Sequence, residues 1–432
     1  MAQAAPALVA RGGSSILGGE SPRLLVTGVA PGERVVVQSF RTAQVWKQGV
    51  SQPTLVLAHA FAEFTADKDG RVDIDRATPV RGTYDGADPL GLLWSGEKAD
   101  LTGDVKLAEN EVLFRLERNL QTAAETRITL TDGADRLDVA EVKETGLSGV
   151  FARPKIAGPW PAIILLHGSE GGTRPESRDT ATRFAHLGYA ALAVNYFAWP
   201  YAHIEGIPQA LVNIPVETIE KARAWLKAQP HVNAERVTLW GASKGAELAL
   251  VAAAHYDWVE RVVGCVPSSL VWEGFGRALA ANEVLSSWTI AGRSLPYIPY
   301  DHFEDYTHGK LSMAAVHQRS LDVAPKDRAE AARIPIEKTH ARLLLLGAER
   351  DQIWPSAPMT RQIQETMRRA GRAKQVTAFV FDESDHLICG TGSSPTRINP
   401  VIKPEGNSPT PEASARAAAK AWAETKKFLA RP

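Results

Sequence analysis

The amino-acid sequence predicts an α/β fold in which a mostly parallel, doubly covered sheet follows an all-β domain. Three observations support this prediction. The chain has 432 residues, which is more than one ordinary domain. Short strands separated by turn residues fill its first part, whereas apolar strands alternate with helical patterns from about residue 136. Its 44% hydrophobic and 23% charged content is typical of a soluble globular protein.

Turn signals at short intervals characterise the first part of the chain. "RLLVTGVAPGERVVVQSF" predicts a strand, a turn at Pro31 and Gly32, and a second strand. Another turn is predicted at residues 68–70. Because short strands recur at this spacing, residues 20–134 are predicted to form an immunoglobulin-like β-sandwich. The preceding residues 1–19 are expected to be a flexible tail.

The remaining residues, 135–432, are predicted to form the α/β domain. The predicted strands are 162–168, 190–197, 236–241, 259–269, 341–351 and 376–386, and the predicted helices are 177–189, 214–230, 244–256, 356–371 and 412–430. Continuous apolar strands that alternate with helices indicate a parallel sheet with helices on both faces. The alternation is interrupted at about 270–338 by an insertion rich in aromatic residues. Such an insertion forms either a lid over a functional site or an ordinary packed excursion.

Composition excludes several classes of partner and cofactor. Forty-nine Lys plus Arg balance forty-nine Asp plus Glu, which argues against nucleic acid as the main partner. No apolar run approaches the roughly 20 residues that cross a bilayer. Two cysteines, Cys265 and Cys389, cannot form a disulfide framework or a Cys-based zinc site. Two free thiols are favoured over one bridge, and no metal or cofactor is predicted.

The first twenty residues leave the cellular location open. They lack the basic segment and the long apolar stretch of a secretory signal. One interpretation is a cytosolic tail. The other is that Ala2–Ala5 follow a removed signal peptide, with Met1 added, so that the protein is periplasmic or secreted. The sequence does not indicate the oligomeric state.

The segment "GASKGAELAL" contains a candidate nucleophile. Ser243 lies between Gly241 and Gly245, directly after an apolar strand and directly before a helix. In this context the sharp turn exposes the hydroxyl, and the glycines leave room for the neighbouring backbone. The N–H of Lys244, at the helix N-terminus, is positioned to stabilise an oxyanion. The alternative is a polar residue in a structural turn.

A serine nucleophile needs a base, and the base needs an orienting acid. In the expected order the acid follows a late strand and the histidine follows the next one. Asp351 ends the strand "RLLLLGAERD", and His386 ends "VTAFVFDESDH". Glu349 and Asp385 are rival acids. Among eleven histidines, only His386 has both the order and the position.

The glycine-rich loop "LLHGSEGG" is predicted to complete an oxyanion hole. It follows an early strand, so that after Gly168 the N–H of Ser169 or Glu170 could face the oxyanion. A phosphate-binding loop is the weaker alternative, because no Lys-Ser/Thr pair follows Gly172.

With these residues located, the chain resembles the acyl-CoA thioesterase and bile acid-CoA:amino acid N-acyltransferase (BAAT) family. In the first domain the resemblance rests on "AFAEFTADKDGRVDIDRATPVRGTYDGADPLGLLWS". In the second it rests on "GASKGAELAL", "GAERDQIWPS" and "SDHLI". The resemblance begins near residue 20 and implies an N-terminal β-sandwich joined to a C-terminal α/β-hydrolase.

The resemblance also implies the roles of three residues. The family nucleophile falls on Ser243, its acid on Asp351 and its base on His386. The family members that conjugate amino acids carry cysteine at the nucleophile, so serine favours hydrolysis. The chain departs from the family pattern at His167 and in its longer aromatic insertion.

The leading functional prediction is a serine hydrolase that cleaves a small-molecule acyl thioester, with acyl-CoA as the substrate implied by the resemblance. An exported carboxylesterase or amidase on the same scaffold is the first alternative, and an acyl-CoA N-acyltransferase is the second. In a different class, the β-sandwich would bind a ligand or partner beside an inactive hydrolase.

Overall fold

The computed structural model describes residues 5–45, 54–99, 105–108, 110–156, 158–275, 285–398 and 407–430. The chain divides into two compact units. The first unit comprises Met1–Gly133 and Gly390–Trp422, and the second comprises Ala134–Cys389 and Ala423–Pro432. We predicted that the second domain runs without interruption from residue 135 to residue 432. In the structure, residues 390–422 group with the first unit instead. Among the described residues, no helix is both long enough and apolar enough to cross a membrane.

The first unit is built mainly from antiparallel strands. They are β1 (Ala7–Ala10), β2 (Ser15–Leu17), β3 (Leu24–Thr27), β4 (Arg34–Val45), β5 (Thr54–Thr65), β6 (Val72–Asp73), β7 (Arg81–Gly82), β8 (Glu97–Lys98), β9 (Glu111–Arg118) and β10 (Gln121–Thr131), with the short helix α1 (Gly91–Trp94). One sheet has the order β1-β3-β6, and the other has the order β2-β10-β9-β4-β5-β7, with β8 paired to β5. Buried side chains from both sheets, such as Val26 and Phe114, share one apolar core.

The expected flexible tail is wrong for the residues that form β1 and β2. β1 pairs antiparallel with β3, and β2 pairs parallel with β10. Leu8 is 5% exposed and Ile16 is 3% exposed, and both lie in the core of the first unit. Burying an apolar side chain contributes about 1.5–3 kcal/mol, which favours order over a free tail.

The second unit contains an eight-stranded sheet. Its strands are β11 (Leu137–Glu144), β12 (Leu147–Pro154), β13 (Trp160–Leu166), β14 (Ala190–Val194), β16 (Val232–Ala242), β17 (Val259–Cys265), β20 (Arg342–Ala348) and β21 (Val376–Phe381), and the short strands outside it are β15 (Ile214–Pro215), β18 (Trp288–Ile290) and β19 (Arg293–Ser294). The sheet order is β11-β12-β14-β13-β16-β17-β20-β21. β14, β13, β16, β17, β20 and β21 pair in parallel, whereas β11 and β12 are antiparallel.

Helices connect these strands. They are α2 (Arg174–Ala185), α3 (Glu217–Lys227), α4 (Lys244–His255), α5 (Glu304–Thr307), α6 (Met313–Val323), α7 (Lys326–Ala331), α8 (Ser356–Arg369) and α9 (Pro411–Leu429), with 3-10 turns at Ala134–Arg136, Pro200–Ala202, Ile336–Lys338 and Ala373–Gln375. Thr173 caps α2 by accepting the Glu176 N–H at 3.3 Å, so this helix begins before the predicted residue 177.

The buried strands explain why this part of the chain forms a parallel sheet. β14 is buried at every position, and β20 at every position after Arg342. Such strands need cover on both faces, which the connecting helices supply. α3 illustrates the cover, because Ile219, Ala222 and Leu226 are fully buried along one side of it. The predicted α/β fold class is therefore confirmed.

The aromatic insertion is packed where the structure describes it, at residues 270–275 and 285–338. Trp272 and Trp288 are fully buried, and Tyr300 is 9% exposed. Trp272 and Tyr300 stack with ring centroids 5.8 Å apart, and both belong to an apolar cluster with Trp354. Residues 276–284 lie outside the described residues. Whether the insertion moves as a lid stays a prediction.

Candidate active site

Ser243 lies in a strained turn between β16 and α4. Its backbone has φ 55° and ψ −122°, a conformation that a residue with a side chain rarely adopts. The Ser243 N–H donates to the Cys265 carbonyl at 3.0 Å, and the Ser243 carbonyl accepts from Ala246 and Glu247 at 2.9 and 3.0 Å. These bonds join the turn to β17 on one side and to the first turn of α4 on the other. The strained backbone is thus held by its neighbours.

The glycines on either side of Ser243 are required by close backbone contacts. A Cβ at Gly241 would lie 2.2 Å from the Gly245 carbonyl oxygen. A Cβ at Gly245 would lie 2.3 Å from the Leu166 oxygen and 2.4 Å from the His167 oxygen. All of these atoms belong to backbone, which cannot rotate away as a side chain does.

Gly245→Ala is expected to lower the free energy of unfolding by about 1–3 kcal/mol, because α4 must shift away from β13 to admit the methyl group. Urea unfolding followed by circular dichroism measures this change. Gly18→Ala is the matched control, since a Cβ at Gly18 meets no atom within 4 Å. Equal stabilities of the two variants would contradict the packing argument.

Asp351 and His386 lie together after neighbouring strands. The His386 Nδ1–H donates to both carboxylate oxygens of Asp351, at 2.8 and 2.9 Å. The side chain of Asp351 is 1% exposed and that of His386 is 11% exposed. Asp351 Oδ1 also accepts the N–H groups of Ile353 and Trp354 at 2.9 and 3.2 Å. The carboxylate is therefore fixed by its own loop, and the Nε2 of His386 is left to accept a proton.

The rival acids have other partners. Glu349 is half-exposed and forms an ion pair with Arg361. Asp385 Oδ1 accepts the Leu387 N–H at 2.9 Å, which caps the turn that follows His386. Of the three candidate acids, Asp351 is the one whose carboxylate contacts His386.

The glycine-rich loop lies against Ser243. A Cβ at Gly168 would be 3.2 Å from the Ser243 Cβ and 2.5 Å from Glu170 Oε2. The Gly168 N–H donates to Glu170 Oε1 at 2.7 Å. The carboxyl of Glu170 thus folds back towards the nucleophile candidate. The sequence singled out Ser169 and Glu170 only for their backbone N–H groups, and whether these face an oxyanion stays a prediction.

The Glu170 carboxyl is a feature that the sequence reasoning missed. Glu170 as a residue is exposed to solvent, but protein atoms surround its carboxyl group. Because the carboxyl is desolvated, its pKa is raised. Hydrogen bonds from backbone N–H groups and the charge of His386 oppose the rise. A single Glu in a Gly-rich loop carries no pattern that would have indicated this.

The side chain of Lys244 places a buried ammonium group next to the turn of Ser243. Its Nζ donates to Glu247 Oε2 at 3.0 Å, to Ser287 Oγ at 2.8 Å and to the Glu273 carbonyl at 3.4 Å. The side chains of Lys244 and Glu247 are 2% and 0% exposed. All three donor positions of the ammonium therefore have acceptors inside the protein.

Glu247 connects the helix after Ser243 to the aromatic insertion. Its Oε1 accepts the Trp272 N–H at 3.1 Å and the Trp288 indole N–H at 2.7 Å. Burial raises the pKa of Glu247 and lowers the pKa of Lys244, while the attraction between their charges opposes both shifts. These contacts hold the insertion against α4. Ser287 and Trp288 are 40 or more residues away, so no spacing pattern could have predicted them.

Two other buried histidines are held neutral. Burial lowers the pKa of His167 to about 4 and that of His317 to about 3. The His167 ring stacks on Tyr196 with centroids 4.1 Å apart, and His317 packs against Trp272 at 4.6 Å. Neither ring contacts a carboxylate as His386 does. A general base needs a pKa near the working pH, and burial lowers the pKa of both histidines below that range.

Two family descriptions match separate parts of the chain, and one of them covers about half of it. Residues 20–144 match "Acyl-CoA thioester hydrolase/BAAT N-terminal region", and residues 214–432 match "BAAT / Acyl-CoA thioester hydrolase C terminal". The chain belongs to the acyl-CoA thioesterase/BAAT family. The predicted resemblance is therefore confirmed. Residues 147–274 also match the dienelactone hydrolase family.

Two acyl-coenzyme A thioesterases agree with this assignment. This member of the acyl-CoA thioesterase/BAAT family is 28% identical to acyl-coenzyme A thioesterase 5 of Mus musculus over 373 aligned residues. The aligned region covers 81% of this chain and 78% of that protein. It is 26% identical over 430 residues to acyl-coenzyme A thioesterase 6 of Mus musculus, covering 94% and 92%. A solved structure, a putative dienelactone hydrolase from Klebsiella pneumoniae, has a TM-score of 0.42 and 18% identity over 68% of this chain and 99% of that one. The protein is a hydrolase enzyme.

Proposed function

We propose that this protein is a serine hydrolase that cleaves acyl thioesters, with acyl-CoA as substrate and the free acid and CoA as products. The observation that carries the proposal is the His386–Asp351 hydrogen bond at 2.8 Å, formed at the same sheet edge as the strained turn of Ser243. Membership of the acyl-CoA thioesterase/BAAT family, and relatives named acyl-coenzyme A thioesterases, support the choice of a thioester.

In the first half of the proposed reaction, Ser243 Oγ attacks the thioester carbonyl carbon and His386 Nε2 takes the hydroxyl proton. Asp351 fixes the tautomer of His386 by accepting its Nδ1–H, and it stabilises the imidazolium that forms. The tetrahedral intermediate then collapses. Its C–S bond breaks, the thiolate takes the proton from His386, and the acyl group remains on Ser243 as an ester.

In the second half, water attacks the acyl-serine ester and His386 accepts a proton from that water. The C–O bond to Ser243 breaks, Ser243 recovers the proton, and the carboxylic acid leaves. The Lys244 N–H, which opens α4 and has no acceptor within the helix, is one proposed donor to the oxyanion in both halves. The N–H of Ser169 or Glu170 is the proposed second donor.

An oxygen ester is the second candidate substrate. The match of residues 147–274 to the dienelactone hydrolase family favours it, because the glycine-rich loop and the nucleophile turn both lie in that range. The serine at position 243 supports hydrolysis over amino-acid conjugation, as the sequence resemblance implies. The two candidates share Ser243, His386 and Asp351 and differ only in the leaving group.

A panel of substrates tests the leaving group. Acyl-CoA esters of several chain lengths are compared with p-nitrophenyl esters of the same acyl groups, and kcat/KM is measured for each pair. We expect the thioester to be favoured at least about tenfold, which corresponds to about 1.4 kcal/mol of transition-state stabilisation. A preference of similar size for the oxygen esters would overturn the thioesterase proposal while leaving the three catalytic residues in place.

A further inference from the structure

The proposed reaction gives no role to the carboxyl group of Glu170, which lies beside Ser243. The position that a Cβ at Gly168 would take is 3.2 Å from the Ser243 Cβ and 2.5 Å from Glu170 Oε2. The nucleophile candidate and one carboxylate oxygen therefore both border the space that Gly168 leaves open. Since hydrogen-bonded atoms are roughly 3 Å apart, one water molecule can contact both groups there.

One oxygen of the carboxyl is held by the backbone, which directs the other. The Gly168 N–H donates to Glu170 Oε1 at 2.7 Å. The carbonyl of the same peptide unit, at His167, accepts the Tyr196 hydroxyl at 2.7 Å. Because N–H and C=O point in opposite directions across a trans peptide, the tyrosine aims the Gly168 N–H at the carboxyl. Within the part of the chain that the structure describes, no other residue donates a hydrogen bond to Oε2.

The rest of the glycine-rich loop is anchored in the same way. The Trp199 indole N–H donates to the Ser169 carbonyl at 3.1 Å, and the Tyr201 hydroxyl donates to the Glu170 carbonyl at 3.2 Å. These bonds fix the backbone from which the Glu170 side chain extends. The carboxyl is therefore placed before any substrate binds, and no free energy is spent on ordering it during the reaction.

A cavity next to the loop has room for water. Its volume is about 200 Å³, and Glu170, Gly172 and Ala242 are among the residues that line it. Ala242 directly precedes Ser243. A water molecule needs roughly 10–15 Å³ of such space and polar partners, so the cavity can supply water to the carboxyl. Desolvation raises the pKa of Glu170, so its carboxylate gains more from a bound water than an exposed carboxylate does.

We propose that Glu170 Oε2 holds the water that hydrolyses the acyl-serine ester, which makes Glu170 a positioning residue for the second half of the reaction. The water donates one hydrogen bond to Oε2, and its other proton passes to His386 Nε2 as its oxygen attacks the ester carbonyl carbon. The bond from that carbon to Ser243 Oγ then breaks, Oγ takes the proton from His386, and the carboxylic acid leaves. The carboxylate of Glu170 keeps its charge throughout. This inference rests on the proposed function.

Glu170→Gln tests the proposal with almost no change in size. The amide oxygen is retained by the Gly168 N–H, so an NH₂ group, which is a donor, replaces the acceptor Oε2. We expect hydrolysis of the acyl-enzyme to slow about 100-fold, the loss typical of a reacting group that is no longer oriented. Formation of the acyl-enzyme should stay within about threefold. As a result kcat and KM should fall together, while kcat/KM is nearly unchanged.

The experiment uses the full chain and the preferred substrate of the panel. Rapid mixing follows the first product, CoA or p-nitrophenol, and intact mass follows the acyl adduct. The variant should release one equivalent of first product in a burst and accumulate the adduct on Ser243. Glu205→Gln is the control, because Glu205 is an exposed glutamate in another loop, and it should behave as the wild type. If the glutamine variant folds poorly, Glu170→Ala replaces it in the same comparison.

Two outcomes would overturn the role of Glu170. One is an acyl-enzyme that is hydrolysed at the wild-type rate in Glu170→Gln. The other is an equal fall in acylation and deacylation without an adduct, which is the result of a merely structural role. An adduct that peptide mapping places on a residue other than Ser243 would count against the proposed function instead.

Discussion

Replacing Ser243 by alanine should lower kcat for acyl ester hydrolysis by about 10⁶-fold, the loss typical of serine hydrolases without their nucleophile. The alanine variant can form no acyl-enzyme, while binding and oxyanion contacts remain and leave a residual rate. KM should change little, because the hydroxyl contributes to the reacting bond more than to ground-state binding. Steady-state kinetics with the preferred substrate of the panel measures both constants.

A matched control separates chemistry from folding. Ser294→Ala removes a hydroxyl from an exposed position in β19 and should leave kcat within about twofold, because surface changes rarely exceed 0.5 kcal/mol. Full activity of Ser243→Ala would contradict the role of Ser243 as the nucleophile and would favour a binding role for the β-sandwich.

Asp351→Asn should lower kcat by about 10⁴-fold, since the amide presents the wrong partner to His386 Nδ1.

Breaking the buried ion pair should have the largest effect on stability. Glu247→Leu leaves the Lys244 ammonium without its carboxylate inside the protein, and it leaves the Trp272 and Trp288 N–H groups without an acceptor. Removing one partner of a buried pair costs about 3–5 kcal/mol. Chemical denaturation of the variant should therefore show a midpoint far below that of the wild type.

The double variant distinguishes an ion pair from simple packing. Lys244→Met combined with Glu247→Leu removes both charges together, so its loss of stability should be smaller than the sum of the two single losses by about 2 kcal/mol. Asp179→Ala is the control, because its ion pair with Arg183 on α2 is exposed and contributes less than about 1 kcal/mol. Additive losses at Lys244 and Glu247 would show that their charges are not coupled.

Much of the candidate site was visible in local patterns. Ser243 stands between an apolar strand and a helix, and Asp351 and His386 each follow an apolar strand. The ends of neighbouring parallel strands lie at one edge of a sheet, so position along the strand predicts proximity there. That argument needs only residue order and hydrophobic periodicity. It does not predict side-chain contacts, which is why the carboxyl of Glu170 went unnoticed.

The contacts that the sequence did not predict join segments that are distant in the chain and share no pattern of hydrophobic periodicity. The Lys244 ammonium meets Ser287 across a stretch that only the folded backbone brings together. The strands at Ala7–Ala10 and Ser15–Leu17 were missed for the same reason, because each is too short to show alternation and is ordered by pairing with a distant strand.

Local patterns in the amino-acid sequence were enough to predict the α/β class, the family and the class of enzyme, because these depend on hydrophobic periodicity and on motifs of a few residues. The folded structure was needed to show which distant groups meet the Lys244–Glu247 pair, namely Ser287 and the N–H groups of Trp272 and Trp288. Desolvation explains this difference. A buried charge persists only where folding supplies its partner, and that partner comes from any part of the chain that packs nearby.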